Sequence, residues 1–222
     1  MAAKKFYAVK KGKAVGVFRT WEECKASVDG YPGAEYKGFM SKNEALEYLG
    51  MESRKEDRED LPRPGCLLAY VDGSYEHSLK KYAFGCVFIL PNGKVYTKYG
   101  NGDNEKYLQH RNVMGEMLGA LYATKAAMLN GYGEVEIRYD YQGIEKWATG
   151  EWRAKNDETI TYARTMREWG KKLKIRFTKV AAHTNVKYNE LADLTAKTGL
   201  TEGNGIPKVC RLEEMDEYPG EE

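Results

Sequence analysis

The chain has 222 residues, 42% of them hydrophobic, and a formal net charge of only +2. That length allows one large domain or two smaller ones with a real core, and the near-neutral balance excludes a uniformly basic nucleic-acid coat. Four scattered cysteines (Cys24, Cys66, Cys86, Cys210) include no C-x-x-C pair, which disfavours a zinc site and a disulfide framework. No apolar run reaches membrane-spanning length and no signal peptide is recognisable. The expectation is a soluble cytoplasmic monomer with no membrane partner. Charge is unevenly placed: residues 1–50 carry nine Lys/Arg against six Asp/Glu, residues 200–222 two against seven. The front of the chain is therefore the better place for a polyanion.

Residues 1–50 read as a small unit. Strands over Lys5–Lys10 and Ala14–Arg19 flank the turn Lys11-Gly12-Lys13, a hairpin pattern. Thr20-Trp21-Glu22-Glu23 is a capping box opening a helix to about Asp29, and Gly30-Tyr31-Pro32-Gly33 breaks it. A third strand over Glu35–Phe39 precedes a second capping box, Ser41-Lys42-Asn43-Glu44, whose helix runs to Leu49. Tyr7, Trp21, Tyr31, Tyr36 and Phe39 are interleaved with Lys10, Lys11, Lys13, Lys25 and Lys37. Such a mixture either stacks bases and tracks phosphates, or fills a small core beneath solvating lysines.

Residues 51–65 are almost all charge and then proline-punctuated, the composition of a tether. Residues 66–199 open on Leu67-Leu68-Ala69-Tyr70-Val71-Asp72-Gly73-Ser74, a buried strand that ends in a carboxylate. Strands over Phe84–Leu90 and Lys94–Tyr99 flank Pro91-Asn92-Gly93, so the first three strands form a meander. A helix over Val113–Asn130, a strand over Val135–Tyr139, helices over Ile144–Trp152 and Asp157–Lys172, a strand over Lys174–Val180 and a helix over Asn189–Lys197 follow. The order predicts an α/β fold: a mixed five-stranded sheet flanked by helices, preceded by a small three-stranded α/β unit. Residues 200–222 read as an acidic tail.

An ionised carboxylate at the end of a buried strand is costly unless its charge is offset. Asp72 and Asp140 end strands that a right-handed crossover would lay side by side. Glu116 sits on a helix ridge of small residues (Gly119, Ala120, Ala123) that would press close to the sheet, and Asp193 has apolar neighbours suggesting a packed helix. Four converging carboxylates without lysine partners would repel and have raised pKa values, which two Mg²⁺ ions would relieve. Each residue taken alone has a blander reading: a strand-end turn, a solvated helix face or, for His183, a hydrogen-bonded loop residue.

Two sets of motifs carry a family resemblance. Phe6-Tyr7-Ala8-Val9, Trp21-Glu22-Glu23-Cys24, Val28-Asp29-Gly30-Tyr31-Pro32-Gly33-Ala34 and Tyr36-Lys37-Gly38-Phe39 resemble the hybrid-binding domain at the front of many type 1 ribonucleases H. The resemblance implies that Tyr7, Trp21 and Lys37 contact a DNA strand. Tyr70-Val71-Asp72-Gly73-Ser74, Asn112-Val113-Met114-Gly115-Glu116, Tyr139-Asp140-Tyr141-Gln142 and His183 to Asp193 resemble the acidic motifs of ribonuclease H, in order. That implies an endoribonuclease cutting the RNA strand of RNA/DNA hybrids and leaving 5′-phosphate and 3′-hydroxyl ends. Asp72, Glu116, Asp140 and Asp193 would hold two Mg²⁺ ions, with Mn²⁺ as a substitute, and His183 would aid proton transfer or product release. One metal would lower the pKa of the attacking water and the other stabilise the leaving oxygen. Gly73 would admit an RNA 2′-hydroxyl, Asn112 would read it, and Ser74, Trp147 and Asn156 would add nucleic-acid contacts, with core packing the competing role for Trp147.

The match has departures. Gly38 replaces a second lysine, Tyr141 stands where a serine is usual, about one helical turn is missing before Gly143, and Arg111 replaces a phosphate-binding threonine. The basic extra helix of some relatives has no counterpart between Trp152 and Trp169, so the front unit is expected to supply substrate grip through effective concentration. A non-catalytic hybrid-binding protein and another nuclease of the superfamily remain the competing readings.

Overall fold

The computed structural model describes residues 6–39, 45, 48–50, 61–180 and 186–219. The chain divides into two compact units, Met1–Asp60 and Leu61–Glu222.

In the front unit, β1 (Phe6–Lys11) is the centre of an antiparallel sheet, between β2 (Gly16–Phe18) and β3 (Glu35–Phe39). Helix α1 (Trp21–Val28) starts at the expected capping box: Glu23 N–H donates to Thr20 Oγ1 at 3.2 Å, and Thr20 N–H donates back to Glu23 Oε2 at 3.2 Å. The buried residues among those described are small: Ala8, Val9, Cys24, Ser27 and Ala45. The second helix expected from Ser41 and the charged stretch 51–60 lie largely or wholly outside the described residues.

The second unit is built on one sheet of order β8-β7-β4-β5-β6-β9. Its strands are β4 (Cys66–Glu76), β5 (Lys81–Ile89), β6 (Val95–Gly102), β7 (Glu134–Tyr139), β8 (Lys174–Lys179) and β9 (Asp216–Glu217). β4, β5 and β6 form the antiparallel meander, while β4–β7 and β7–β8 are parallel. The expected five-stranded sheet thus gains a sixth strand. Residues of the acidic tail pair with Tyr96 and Thr97, and Leu212 and Met215 are buried behind them, so the tail docks on the edge. Residues 61–65, read as linker, are also held: Arg63 pairs with Glu134, and the Gly65 carbonyl accepts from Gly133 and Glu134.

β4 is buried on both faces because helices cover both. Leu67, Ala69 and Val71 belong to a core with Met117, Ala120 and Ala123 of α3 (Asn112–Leu129). Leu68 and Tyr70 belong to a second core with Tyr188 and Ala192 of α6 (Lys187–Glu202). This is the period-2 alternation of a strand, with an apolar helix waiting on each side. Glycines set how close the helices come. A Cβ on Gly73 would stand 2.0 Å from the Asn112 carbonyl oxygen, and one on Gly115 would stand 1.9 Å from that of Ala83. On the other face a Cβ on Gly85 would stand 2.3 Å from the Ala192 oxygen. The remaining helices are α2 (Glu105–Leu108), α4 (Gly143–Thr149) and α5 (Asp157–Gly170).

Candidate active site

The parallel pairing of β4 with β7 runs to Tyr70 opposite Arg138, and Asp72 and Asp140 lie two residues further along each strand direction. The close approach of α3 at Gly73 then carries Glu116 to the same sheet end. Ligand oxygens of Asp72, Glu116 and Asp140 all lie within 4.8 Å of one another. Asp72 and Asp140 are half-buried; Glu116 is only 1% exposed, and its Oε2 has no hydrogen-bond partner.

Electrostatics follow from that crowding. Burial, with Asp140 and Asp72 close by, pushes Glu116 up to about 9, although the Tyr141 backbone N–H partly offsets this. Burial and then Asp140 push Asp72 up to about 7, against the Gly73 N–H, which donates to Asp72 Oδ1 at 2.7 Å. Three oxygen-only groups at this spacing, one with an orphaned buried oxygen, suit a hard cation, which takes carboxylate ligands and removes their repulsion.

Asp193 is placed differently. It lies on α6 and feels Asp72 electrostatically, but its Oδ2 accepts from Lys197 Nζ at 2.7 Å and it stands outside the three-carboxylate group. The expectation of four carboxylates without a lysine partner is therefore corrected: Lys197, one helical turn on, takes the fourth. His183 lies outside the described residues.

Gly73 has a role the sequence reading did not give it. The space its side chain would fill is occupied by the Asn112 carbonyl and Glu116 N–H of α3, so helix placement alone requires glycine there. Asn112 is exposed at the first position of α3, one turn from Glu116. Arg111 before it adopts φ 49°, a strained setting for a residue with a Cβ. Ser74 sits in β4 opposite Ala83. Trp147 is half-buried against the main core, with Tyr141 at 5.8 Å and Trp152 at 6.3 Å between ring centroids. Asn156 caps α5, and next to it the buried Glu158 meets His110 Nε2 at 3.2 Å.

In the front unit the aromatics do not fill the core. Trp21 is 41% and Tyr36 44% exposed, and Trp21 stands between Tyr7 (5.6 Å) and Tyr36 (5.8 Å). Lys37 lies over the Phe39 ring at 5.4 Å. Two exposed rings beside a half-buried Tyr7, with lysines nearby, have the composition that suits stacking. Tyr36, one of the interleaved aromatics of the sequence but not among the residues expected to contact nucleic acid, stands beside Trp21 in this group.

The ribonuclease H1 N-terminal domain family matches residues 5–49, and the RNase H family matches residues 65–201. Ribonuclease H of Saccharomyces cerevisiae is 56% identical over 45 residues, 20% of this chain and 13% of that protein. Ribonuclease H1 of Homo sapiens is 43% identical over 88 residues, 35% of this chain and 31% of that protein. The alignments thus span less than a third of the length of these curated relatives. The crystal structure of RNase H1 from the halophilic archaeon Halobacterium salinarum matches the fold with a TM-score of 0.53 at 24% identity, over 62% of this chain and 99% of that one.

Proposed function

The chain belongs to the ribonuclease H family, and on that premise we propose that it is a metal-dependent endoribonuclease cutting the RNA strand of RNA/DNA hybrids and leaving 5′-phosphate and 3′-hydroxyl ends. The observation that carries this reading is the meeting of Asp72, Glu116 and Asp140 within 4.8 Å around a buried oxygen of Glu116 that nothing satisfies.

These three residues, joined by Asp193 once freed from Lys197, would hold two Mg²⁺ ions, with Mn²⁺ as a substitute. When bound, such ions supply Lewis acidity, lowering the pKa of water and stabilising charge on the leaving oxygen. The chain's own groups do the rest. Glu116 is fixed by burial, so it is already oriented before substrate arrives. Asn112, exposed beside it, reads the 2′-hydroxyl that separates RNA from DNA. Gly73 and Ser74 present strand backbone to the cut RNA, and Trp147 and Asn156 meet the DNA strand. His183 moves a proton or helps the product leave. One copy of the chain supplies every clustered carboxylate, so the reading requires only a monomer.

Tyr7, Trp21 and Lys37 contact the DNA strand from the front unit, which raises the local concentration of hybrid at the cutting site. A labelled hybrid, a duplex RNA and a duplex DNA of one sequence, each incubated with Mg²⁺, test the proposal. Internal cuts confined to the RNA strand of the hybrid support it. Cuts in either homoduplex, or hybrid binding with no cutting, contradict it.

A further inference from the structure

A groove of about 510 Å³ lies between the loop that follows α4 and helix α5, and none of the clustered carboxylates lines it. Three guanidinium groups do: those of Arg153, Arg164 and Arg167. Arg167 is anchored, its Nε donating to the Ala148 carbonyl and its Nη2 to that of Trp147, both at 3.2 Å. The loop passes close to it at Gly150 (φ +90°), where a Cβ would stand 3.3 Å from Arg167 Nη2. Arg153 and Arg164 are exposed and make no hydrogen bond or ion pair among the described residues. The lining holds one acid, Glu151, and it is 3.9 Å from Lys146. The groove therefore carries uncompensated positive charge.

Its apolar side is partly open, with Lys146 Nζ standing 5.3 Å from the centroid of the Trp152 ring. Trp152 is 38% and Ile160 46% exposed. A flat apolar wall beside free guanidinium groups matches a phosphate attached to a sugar and a base, since guanidinium pairs with phosphate and any base stacks on an indole. A neighbouring groove of about 420 Å³ shares Arg167 but lacks this character. Its lysines are engaged, Lys171 with Glu168 at 2.7 Å and Lys174 with Glu134 at 3.4 Å. An unbroken run of rings, Tyr141 to Trp147 to Trp152, links the residue after Asp140 to the first groove. That continuity favours a polynucleotide over a free nucleotide.

We infer that this groove is a second nucleic-acid contact, in which Arg153 and Arg164 take a backbone phosphate and Trp152 takes the adjoining sugar or base. The inference rests on the proposed hybrid substrate. It also supplies grip on the side where the chain lacks the basic extra helix.

The test is hybrid binding by the full chain, followed by fluorescence anisotropy across a salt series with Ca²⁺ in place of Mg²⁺. Replacing both residues (Arg153→Gln with Arg164→Gln) should make the plot of log affinity against log salt shallower by roughly 1 and weaken binding about tenfold at 0.1 M salt. Arg153→Lys with Arg164→Lys should keep the slope, and thermal melting of each variant controls for folding. An unchanged slope in a folded double Gln variant overturns the inference. Adenosine monophosphate that competes as tightly as hybrid, and loses its affinity in the same variant, also overturns it by making the groove a free-nucleotide site. Failure of the unaltered protein to cut hybrid is a separate result that strikes the proposed function.

Discussion

Lys197 Nζ donates to Asp193 Oδ2 at 2.7 Å, one helical turn along α6, while Asp193 still contributes to raising the pKa of Asp72. The lysine is thus a built-in competitor for the fourth carboxylate. Both groups are partly exposed (61% and 37%), so the pair is worth at most about 1 kcal/mol. Lys197→Ala should lower the Mg²⁺ concentration for half-maximal cleavage by roughly two- to fivefold. An unchanged or higher requirement in a metal titration would show that Lys197 does not hold Asp193 back.

The carboxylate cluster also sets how stability depends on pH without metal. Asp72 and Glu116 have folded-state values raised to about 7 and about 9, so the metal-free fold retains protons that the unfolded chain releases. Their contribution is intact below the usual carboxylate range and is lost as pH rises through 7 and on to 9. Bound cations remove that loss. Thermal melting should therefore show a larger gain from Mg²⁺ at pH 8.5 than at pH 6, by a few degrees. Glu116→Gln should raise the melting temperature of the metal-free protein at pH 8.5. A Mg²⁺ gain that is the same at both pH values would contradict this.

Helix α3 reaches the sheet through two glycines whose neighbours are backbone and cannot give way. Gly115→Ala places a methyl 1.9 Å from the Ala83 oxygen, and Gly73→Ala places one 2.0 Å from the Asn112 oxygen. Each should cost about 1–3 kcal/mol in urea unfolding and lower cleavage by displacing Glu116. Gly119→Ala meets Val71 at 3.2 Å and should be milder. Equal effects at all three positions would rule out the close-approach account.

Front-unit grip separates from chemistry. Deleting residues 1–50 should weaken hybrid binding far more than it slows turnover at saturation, and Trp21→Ala should remove about 1–3 kcal/mol of binding. Equal binding by the truncated protein would show that the second unit holds the hybrid alone.

Much of this was readable from the residues. The unbroken apolar run before Asp72, the Pro91-Asn92-Gly93 turn and the Thr20 capping box act locally, so strands, hairpin and helix start fell where expected. Asp72 and Asp140 meet because parallel pairing follows from the strand–helix–strand order. What stayed hidden depended on partners distant in sequence or on one face of a helix. Gly115 falls off the ridge of small residues through Glu116, Gly119 and Ala123, although it makes the closer approach. Asp193 has Ala192 buried on one side but Leu194 59% exposed on the other, so apolar neighbours overstated its burial and masked Lys197 at the next turn. β9 is two acidic residues held by partners distant in sequence: its pairing with Tyr96 and Thr97, the Tyr218 N–H donating to the Val95 carbonyl, and the burial of Leu212 and Met215.

The central claim is that Asp72, Glu116 and Asp140 act together on bound metal. Its most direct measurement is the Mg²⁺-dependent cleavage rate of a 5′-labelled hybrid at saturation for Asp72→Asn, Glu116→Gln and Asp140→Asn, with anisotropy confirming that each variant still binds the hybrid. The expected result is a loss on the order of 10²-fold or more in every variant with binding retained. A variant of any one of the three that cuts at the unaltered rate would contradict the account.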